Sequence, residues 1–337
     1  MVRFVKKILA KPYIWLKYKI KEINGFWDDL VLLKRNYKNR KSDFVLIVYY
    51  GFHKSNKWQV AGQYYFHESL INDLEPIIVS SKLSAWLFVN NEKKIFSSEP
   101  GYAAPKIKLP SGSKNIVFVS DPHSKPSWLP EYYERNNINY IFTPYRDMFL
   151  NTDGLSSIPE EKVISFPWSI PDNLINDYNH IYNDEIVIFG AVKNTNIYGL
   201  RARLGGHELV SSSYNYGGSE NKALVLEGYF KWLSKFSCCI AAVSEEDYFS
   251  IPVAKYFEIP ASGCLLFAHE SSALEELGFV DGENCIIFNQ DNFDAKASDY
   301  KQNFNDYAKI RKAGVELIKS QHCVSHRVDA VKNFNFK

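Results

Sequence analysis

Only five of the 337 residues are cysteine, and no two of them stand in a C-x-x-C pair. That excludes a zinc ribbon or a thioredoxin-like redox motif, and Cys238, Cys239, Cys264, Cys285 and Cys323 read as reduced, buried thiols. No apolar run approaches the roughly 20 residues needed to cross a bilayer. No G-x-G-x-x-G opens a helix after a strand, so a nicotinamide dinucleotide is not expected. The chain also lacks charge of one sign overall, with 40 basic and 38 acidic side chains. Nucleic acid is therefore not an expected partner.

The even balance hides an asymmetry. Residues 1–40 carry eleven Lys or Arg against three acids, and the remainder 29 against 35. Between Phe4 and Tyr37 the basic residues interleave with Ile14, Trp15, Ile20, Phe26, Trp27 and Val31 without the layout of a signal peptide. Such a segment suits an anionic membrane surface; the plainer alternative is one or two surface helices packed on the first domain. A cytoplasmic protein, peripheral at the inner face of the membrane, is the expectation.

The hydrophobic share, 46%, is enough for two cores in a chain of this length. Strands are expected at 44–50, 76–80, 85–89, 116–119, 140–143 and 162–166, with a helix over 61–74 and a polar loop from 90 to 110. A Pro-bracketed stretch and a polar run place an interdomain crossing near 172–184. Beyond it, strands are expected at 185–191, 238–242, 264–268 and 285–288. Helices are expected over 222–235, 250–261 and 271–277, and from 299 onward. Alternating strands and helices in both halves predict an α/β protein with two Rossmann-like domains facing a cleft. The domains are drawn at 1–40 (basic helical segment), 41–172, 185–320 and 321–337.

The most informative stretch is Ser250-Ile-Pro-Val-Ala-Lys-Tyr-Phe-Glu-Ile-Pro-Ala-Ser-Gly263. Ser250 is placed to cap a helix with Pro252 in its first turn, and Ser262-Gly263 ends it before an apolar strand. Lys255 and Glu258 stand three apart on one face. A carboxylate there can accept two hydrogen bonds from a ribose diol, and amides at the helix start can hold a diphosphate. A diphosphate held there calls for cations, for which Lys193, Arg201 and Lys255 are the candidates. Gly190 ends the preceding strand, and Tyr248 lies in the acidic loop, Val243 to Phe249, that leads into the helix.

Lys255-Tyr-Phe-Glu258-Ile-Pro-Ala-Ser-Gly263, Asp281-Gly-Glu-Asn284 before Phe288, and the closing His322 to Arg327 resemble the signature of group 1 glycosyltransferases of the CgeB-like branch. The resemblance implies GT-B architecture with a donor-binding C-terminal half and a metal-independent sugar transferase. It would take a nucleotide-sugar and a saccharide or lipid-linked acceptor, for a capsule, O-antigen or similar glycan. Many relatives carry a second glutamate where this chain has Ser250, which leaves retention or inversion open. Glu245, Glu246 or Asp247 could supply that acid. The resemblance also turns the first strand-loop, with His53 and Lys54 on the acceptor side, toward the cleft, where His53 could contact acceptor or donor; the alternative is a solvated loop histidine. Asp121 and His123, at the mouth of the strand 116–119, are placed for general-base work on an acceptor hydroxyl. The alternative for Asp121 is capping of the turn that Pro122 enforces. His322 and His326, four apart with no acid or cysteine cluster, read as packing groups. Two other functions stay open: a nucleotide-sugar 2-epimerase and a non-catalytic glycan-assembly subunit.

Overall fold

The computed structural model describes residues 2–58, 60–175, 182–191, 197–215 and 227–336. Contacts divide the chain into two units, Met1–Gln59 with His67–Phe166 and Lys332–Lys337, and Val60–Phe66 with Pro167–Val331.

The first unit runs α1 (Val2–Lys38), β1 (Phe44–Ile47), α2 (Tyr50–Lys54), α3 (Ala61–Asp73, whose first turns belong to the second unit), β2 (Ile77–Val79), α4 (Lys82–Phe88), β3 (Lys94–Ser98), β4 (Lys114–Phe118), α5 (Leu129–Arg135), β5 (Tyr140–Thr143), α6 (Arg146–Leu150) and β6 (Val163–Ser165). Its six strands are all parallel, in the order β2-β1-β3-β4-β5-β6. The unbroken apolar runs of β1 and β2 follow from burial on both faces. The tail belongs here as well, where Phe334 meets the rings of Tyr140 and Phe142 at 4.8 and 5.0 Å.

The open edge of β2 is covered by α1 through polar groups. Asn36 imitates a strand residue, its Oδ1 accepting from Ile78 N at 2.9 Å and its Nδ2 donating to Ile78 O at 2.8 Å. Asp29 accepts from Ser80 N at 3.0 Å and from the Ser81 hydroxyl. A Cβ on Gly25 would overlap the Ser80 carbonyl oxygen, so only glycine lets the helix approach this closely. The edge is thereby closed to foreign strands.

The second unit runs β7 (Ile186–Gly190), α7 (Gly199–Leu204), β8 (Ser212–Asn215), α8 (Glu227–Leu233), β9 (Cys238–Ala241), α9 (Lys255–Ala261), β10 (Leu265–His269), β11 (Ile286–Phe288), α10 (Phe293–Asn303), α11 (Ala308–Gln321) and α12 (Val324–Lys332). Its five parallel strands are ordered β11-β10-β9-β7-β8 over a core of Ile188, Ile240, Leu265, Phe267 and Tyr300. All five cysteines are buried and form no disulfide.

Four sequence expectations are corrected. Residues 85–88 belong to helix α4 and Val89 caps its end, because Ser81 accepts from Leu83 N as an N-cap and only one side of the segment is buried. The stretch read as a polar loop contains strand β3, disguised by Ser97 and Ser98, which are fully buried. Residues 271–277 form successive tight turns, as in Leu274 N to Ser271 O and Leu277 N to Leu274 O, before Gly278 at φ +80°. The central helix begins at Lys255 rather than Ser250. Pro252 disfavours helical backbone at Ile251, and the segment folds instead through Ile251 N to Phe249 O and Val253 N to Ile251 O. Only Glu227–Leu233 of the expected helix 222–235 falls within a described element.

No helix among the described residues is long and apolar enough to cross a membrane.

Candidate functional site

In an open parallel sheet, a crevice forms at the carboxyl ends of the two strands where the order reverses. In the second unit that point lies between β7 and β9, the strands from which connections leave in opposite directions. Arg201, buried on α7, reaches it. Its Nε donates to Ala242 O, just beyond β9, at 3.0 Å, and its Nη1 to Ala191 O, just beyond β7, at 3.4 Å. Lys255, in the first turn of α9, reaches it from the other side, donating from Nζ to Phe189 O. Both cations close over Gly190, whose φ of +117° is left-handed. A Cβ there would overlap the Lys255 ammonium and stand 3.0 Å from Arg201 Nη1. Glycine is thus required by backbone angle and by space.

Among the described residues, neither cation has a carboxylate in a hydrogen-bonded pair. Burial holds Lys255 well below the ordinary lysine range, and the neighbouring Arg201 charge lowers it further. Burial lowers Arg201 as well. The nearest compensating group is Glu258, one turn along α9. Burial pushes its carboxyl up to about 7, against the opposing pull of the Tyr229 hydroxyl, which donates to Oε2 at 2.8 Å, and of Lys255. A desolvated, net-positive cluster at a strand switch point is disposed to take an anion.

The amides after Lys255 are not available for this purpose. Tyr256 N is bonded to Val253 O, and Phe257 N and Glu258 N to Ala254 O. The amide nest expected from sequence is therefore not formed by these residues. Ser250 does not cap the helix: its hydroxyl donates to Glu270 O at 2.5 Å and its carbonyl accepts from the Ser271 hydroxyl at 2.7 Å, tying this segment to the loop after β10. Tyr248, half-buried in the turn Asp247–Phe249, packs edge-on to Phe249 at 4.7 Å. Of the neighbouring acids, Glu245 pairs with Arg203. Lys193 lies outside the described residues.

In the first unit the corresponding switch point lies between β1 and β3. His53 is on α2 beside it but is fully buried, with both ring nitrogens engaged. Nδ1 accepts from Trp58 Nε1 at 3.0 Å, which leaves Nε2 as donor to Glu68 at 2.6 Å. The expectation that His53 touches a ligand is corrected: it holds Glu68, which also accepts from Lys54 Nζ at 2.7 Å. Asp121 sits at the start of the turn Pro122–Ser124, yet its side chain makes no cap; only its carbonyl accepts from Ser124. His123 is exposed beside it.

Sequence reasoning missed Glu99, directly after β3. It is buried at φ +53°, accepts from Ser120 N at 2.5 Å, and faces Lys125 Nζ at 3.3 Å. Burial raises its carboxyl despite the Lys125 charge. Buried serines before it hid the strand, so no periodic signal pointed to it. Tyr229 was missed because a tyrosine on an amphipathic helix carries no mark of its partner. Among the described residues no three acids, histidines or cysteines gather as metal ligands. His322 donates from Nε2 to Leu277 O at 2.9 Å and accepts from Arg327 at 2.8 Å, and His326 accepts from Cys323 N, so both are packing groups.

Residues 187–333, less than half of the chain, match the family model described as glycosyl transferase-like. No curated protein sequence matches the chain. Among solved structures, TarM superposes with a TM-score of 0.53 at 12% identity, covering 74% of this chain and 56% of TarM. A point mutant of S. aureus TarM, in complex with fondaparinux, α-GlcNAc-glycerol and UDP, gives 0.50 at 13% identity, over 74% and 57%. Anabaena HepE in complex with UDP and glucose gives 0.49 at 8% identity, over 72% and 77%. The chain spans little more than half of TarM's length, and the likeness fixes the architecture, two parallel-sheet α/β units of the GT-B type.

Proposed function

We propose that this chain transfers a sugar from a nucleoside-diphosphate donor to a saccharide or lipid-linked acceptor in the synthesis of a surface glycan, without a metal ion. One observation carries the reading: Arg201 and Lys255 close over Gly190 at the strand switch point, with a buried carboxylate one helical turn away. On this reading each part of such a donor has its own partner. The diphosphate takes the two cations, and the ribose diol takes Glu258. The sugar extends toward Ser250 and Tyr248, with Lys193 as a further cation for the phosphates.

In group transfer from this donor the bond between the sugar and the terminal phosphate oxygen breaks, and negative charge grows on the departing diphosphate. Desolvated cations already in position stabilise that charge more in the transition state than in the ground state. Asp121 and His123, at the carboxyl edge of the first sheet, are the candidates to take the proton of the acceptor hydroxyl. The TarM complex with UDP supports a uridine nucleotide as the first to try.

Calorimetric titration with UDP and GDP sugars, and with a CMP sugar as the monophosphate comparison, followed by an assay of donor hydrolysis, tests this. One base should bind preferentially, with slow release of the nucleoside diphosphate that an acceptor accelerates. Rapid release of a free epimerised sugar would make the chain an isomerase. Tight binding with no turnover under any acceptor would make it a non-catalytic subunit.

A further inference from the structure

A helix packed on a globular unit normally turns its apolar stripe inward. Helix α1 does the reverse. Its inward stripe is Gly25, Asp29, Leu32 and Asn36, mostly small or polar and occupied with the edge of β2. At 3.6 residues per turn, the residues on the opposite side form an apolar arc of roughly 160°. It carries Ile23, Phe26, Trp27, Leu30, Val31 and Tyr37, all exposed, with Trp27 at 61% and Val31 at 76%. A second apolar face lies on α4, whose start is held against α1 by Ser81 on Asp29 and by Lys82 Nζ at 3.9 Å from Glu22. That helix exposes Leu83, Leu87 and, at 80%, Trp86.

We infer that α1 and α4 together form a docking surface for an anionic lipid bilayer, with the rings of Trp27, Phe26 and Trp86 seated at the level of the headgroups. Charge decides between a bilayer and a second copy of the chain. Lys19, Lys34 and Lys38 lie within the apolar arc or at its margin and are exposed, and residues 1–40 carry eleven basic side chains against three acidic. A self-complementary contact would bring these lysines against each other, whereas at a lipid surface their stems lie along apolar tails while the ammonium groups reach phosphate. Aromatic rings and lysines on one helical face are what an interfacial helix requires. The surface belongs to the first unit and rests on nothing in the donor site.

Sedimentation of the full chain with phosphatidylglycerol-containing vesicles and with pure phosphatidylcholine vesicles tests it. The chain should partition onto the anionic vesicles, weaken as salt is raised, and bind the neutral ones at least about tenfold less. Trp27→Glu with Val31→Glu should lower anionic-vesicle binding by at least about tenfold, and Trp86→Glu should lower it independently, with unchanged Tm and nucleotide affinity as controls of folding. Equal binding to both vesicle types, or none to either, would overturn the assignment. So would a dimer in sedimentation equilibrium that the Trp27 and Val31 substitutions dissolve while vesicle binding persists.

Discussion

Glu258→Gln should weaken the binding of the preferred nucleoside diphosphate about a hundredfold and flatten its dependence on pH. The carboxylate is buried, and its Oε2 already accepts from Tyr229, so the amide keeps the shape of the site but cannot offer two acceptor oxygens to a diol. Two hydrogen bonds to an ionised group are together worth about 3 kcal/mol, which sets the size of the loss. Because burial pushes the Glu258 carboxyl up to about 7, the native protein should bind donor better as pH rises through that value. The variant should show no such rise. Stability moves the other way. The folded chain holds a proton on Glu258 that the unfolded chain releases near 4.5, so stability should fall between pH 4.5 and about 7 in the native protein, and less in the variant. Calorimetry and thermal melts across pH 5 to 8 check both signs.

Lys255→Met should cut donor turnover by about 10²- to 10³-fold, the loss seen when one preorganised charge-stabilising donor is removed. The same change should raise the Tm of the ligand-free protein by about 2–4 °C, for ~1 kcal/mol regained. The opposite directions follow from the site. Burial and the Arg201 charge hold Lys255 well below the ordinary lysine range, so without an anion beside it its charge is a cost to the fold. On the proposed function, a nucleoside diphosphate should turn that cost into binding energy. A merely structural lysine would lose stability and activity together. The alkaline pH profile gives a second check. With its folded pKa depressed, Lys255 makes the native protein gain stability as pH climbs toward 10.5, and the methionine variant should lack that component.

What could be read from sequence depended on how each residue advertises its environment. Apolar runs such as Ile186 to Ala191 and Cys264 to Ala268 marked buried parallel strands because both faces of such strands are covered. Gly263 marked the end of α9, where φ is +82°. Strand β3 escaped notice because Ser97 and Ser98 are buried in the sheet interior. Helix α4 was taken for a strand because Trp86, Leu87 and Phe88 form an apolar run, and nothing local reveals that Trp86 points away from the core. Gly190, Arg201, Lys255 and Glu258 could each be singled out from sequence as donor-side candidates, but the convergence of the first three could not. It depends on the order β11-β10-β9-β7-β8, which places residues 190, 201 and 255 around one strand end. The mistaken assignment of His53 has the same origin: a loop histidine in sequence is a buried hub once Trp58 and Glu68 close on it.

The central claim is that an anion seated on Arg201 and Lys255 over Gly190 is the diphosphate of a nucleotide whose ribose is held by Glu258. A crystal structure of the full chain soaked with the preferred nucleoside diphosphate measures this directly. Phosphate oxygens within hydrogen-bond reach of Arg201 and Lys255, with a ribose hydroxyl on Glu258, is the expected result. A nucleotide bound elsewhere, with Glu258 still engaged by Tyr229 alone, would contradict it.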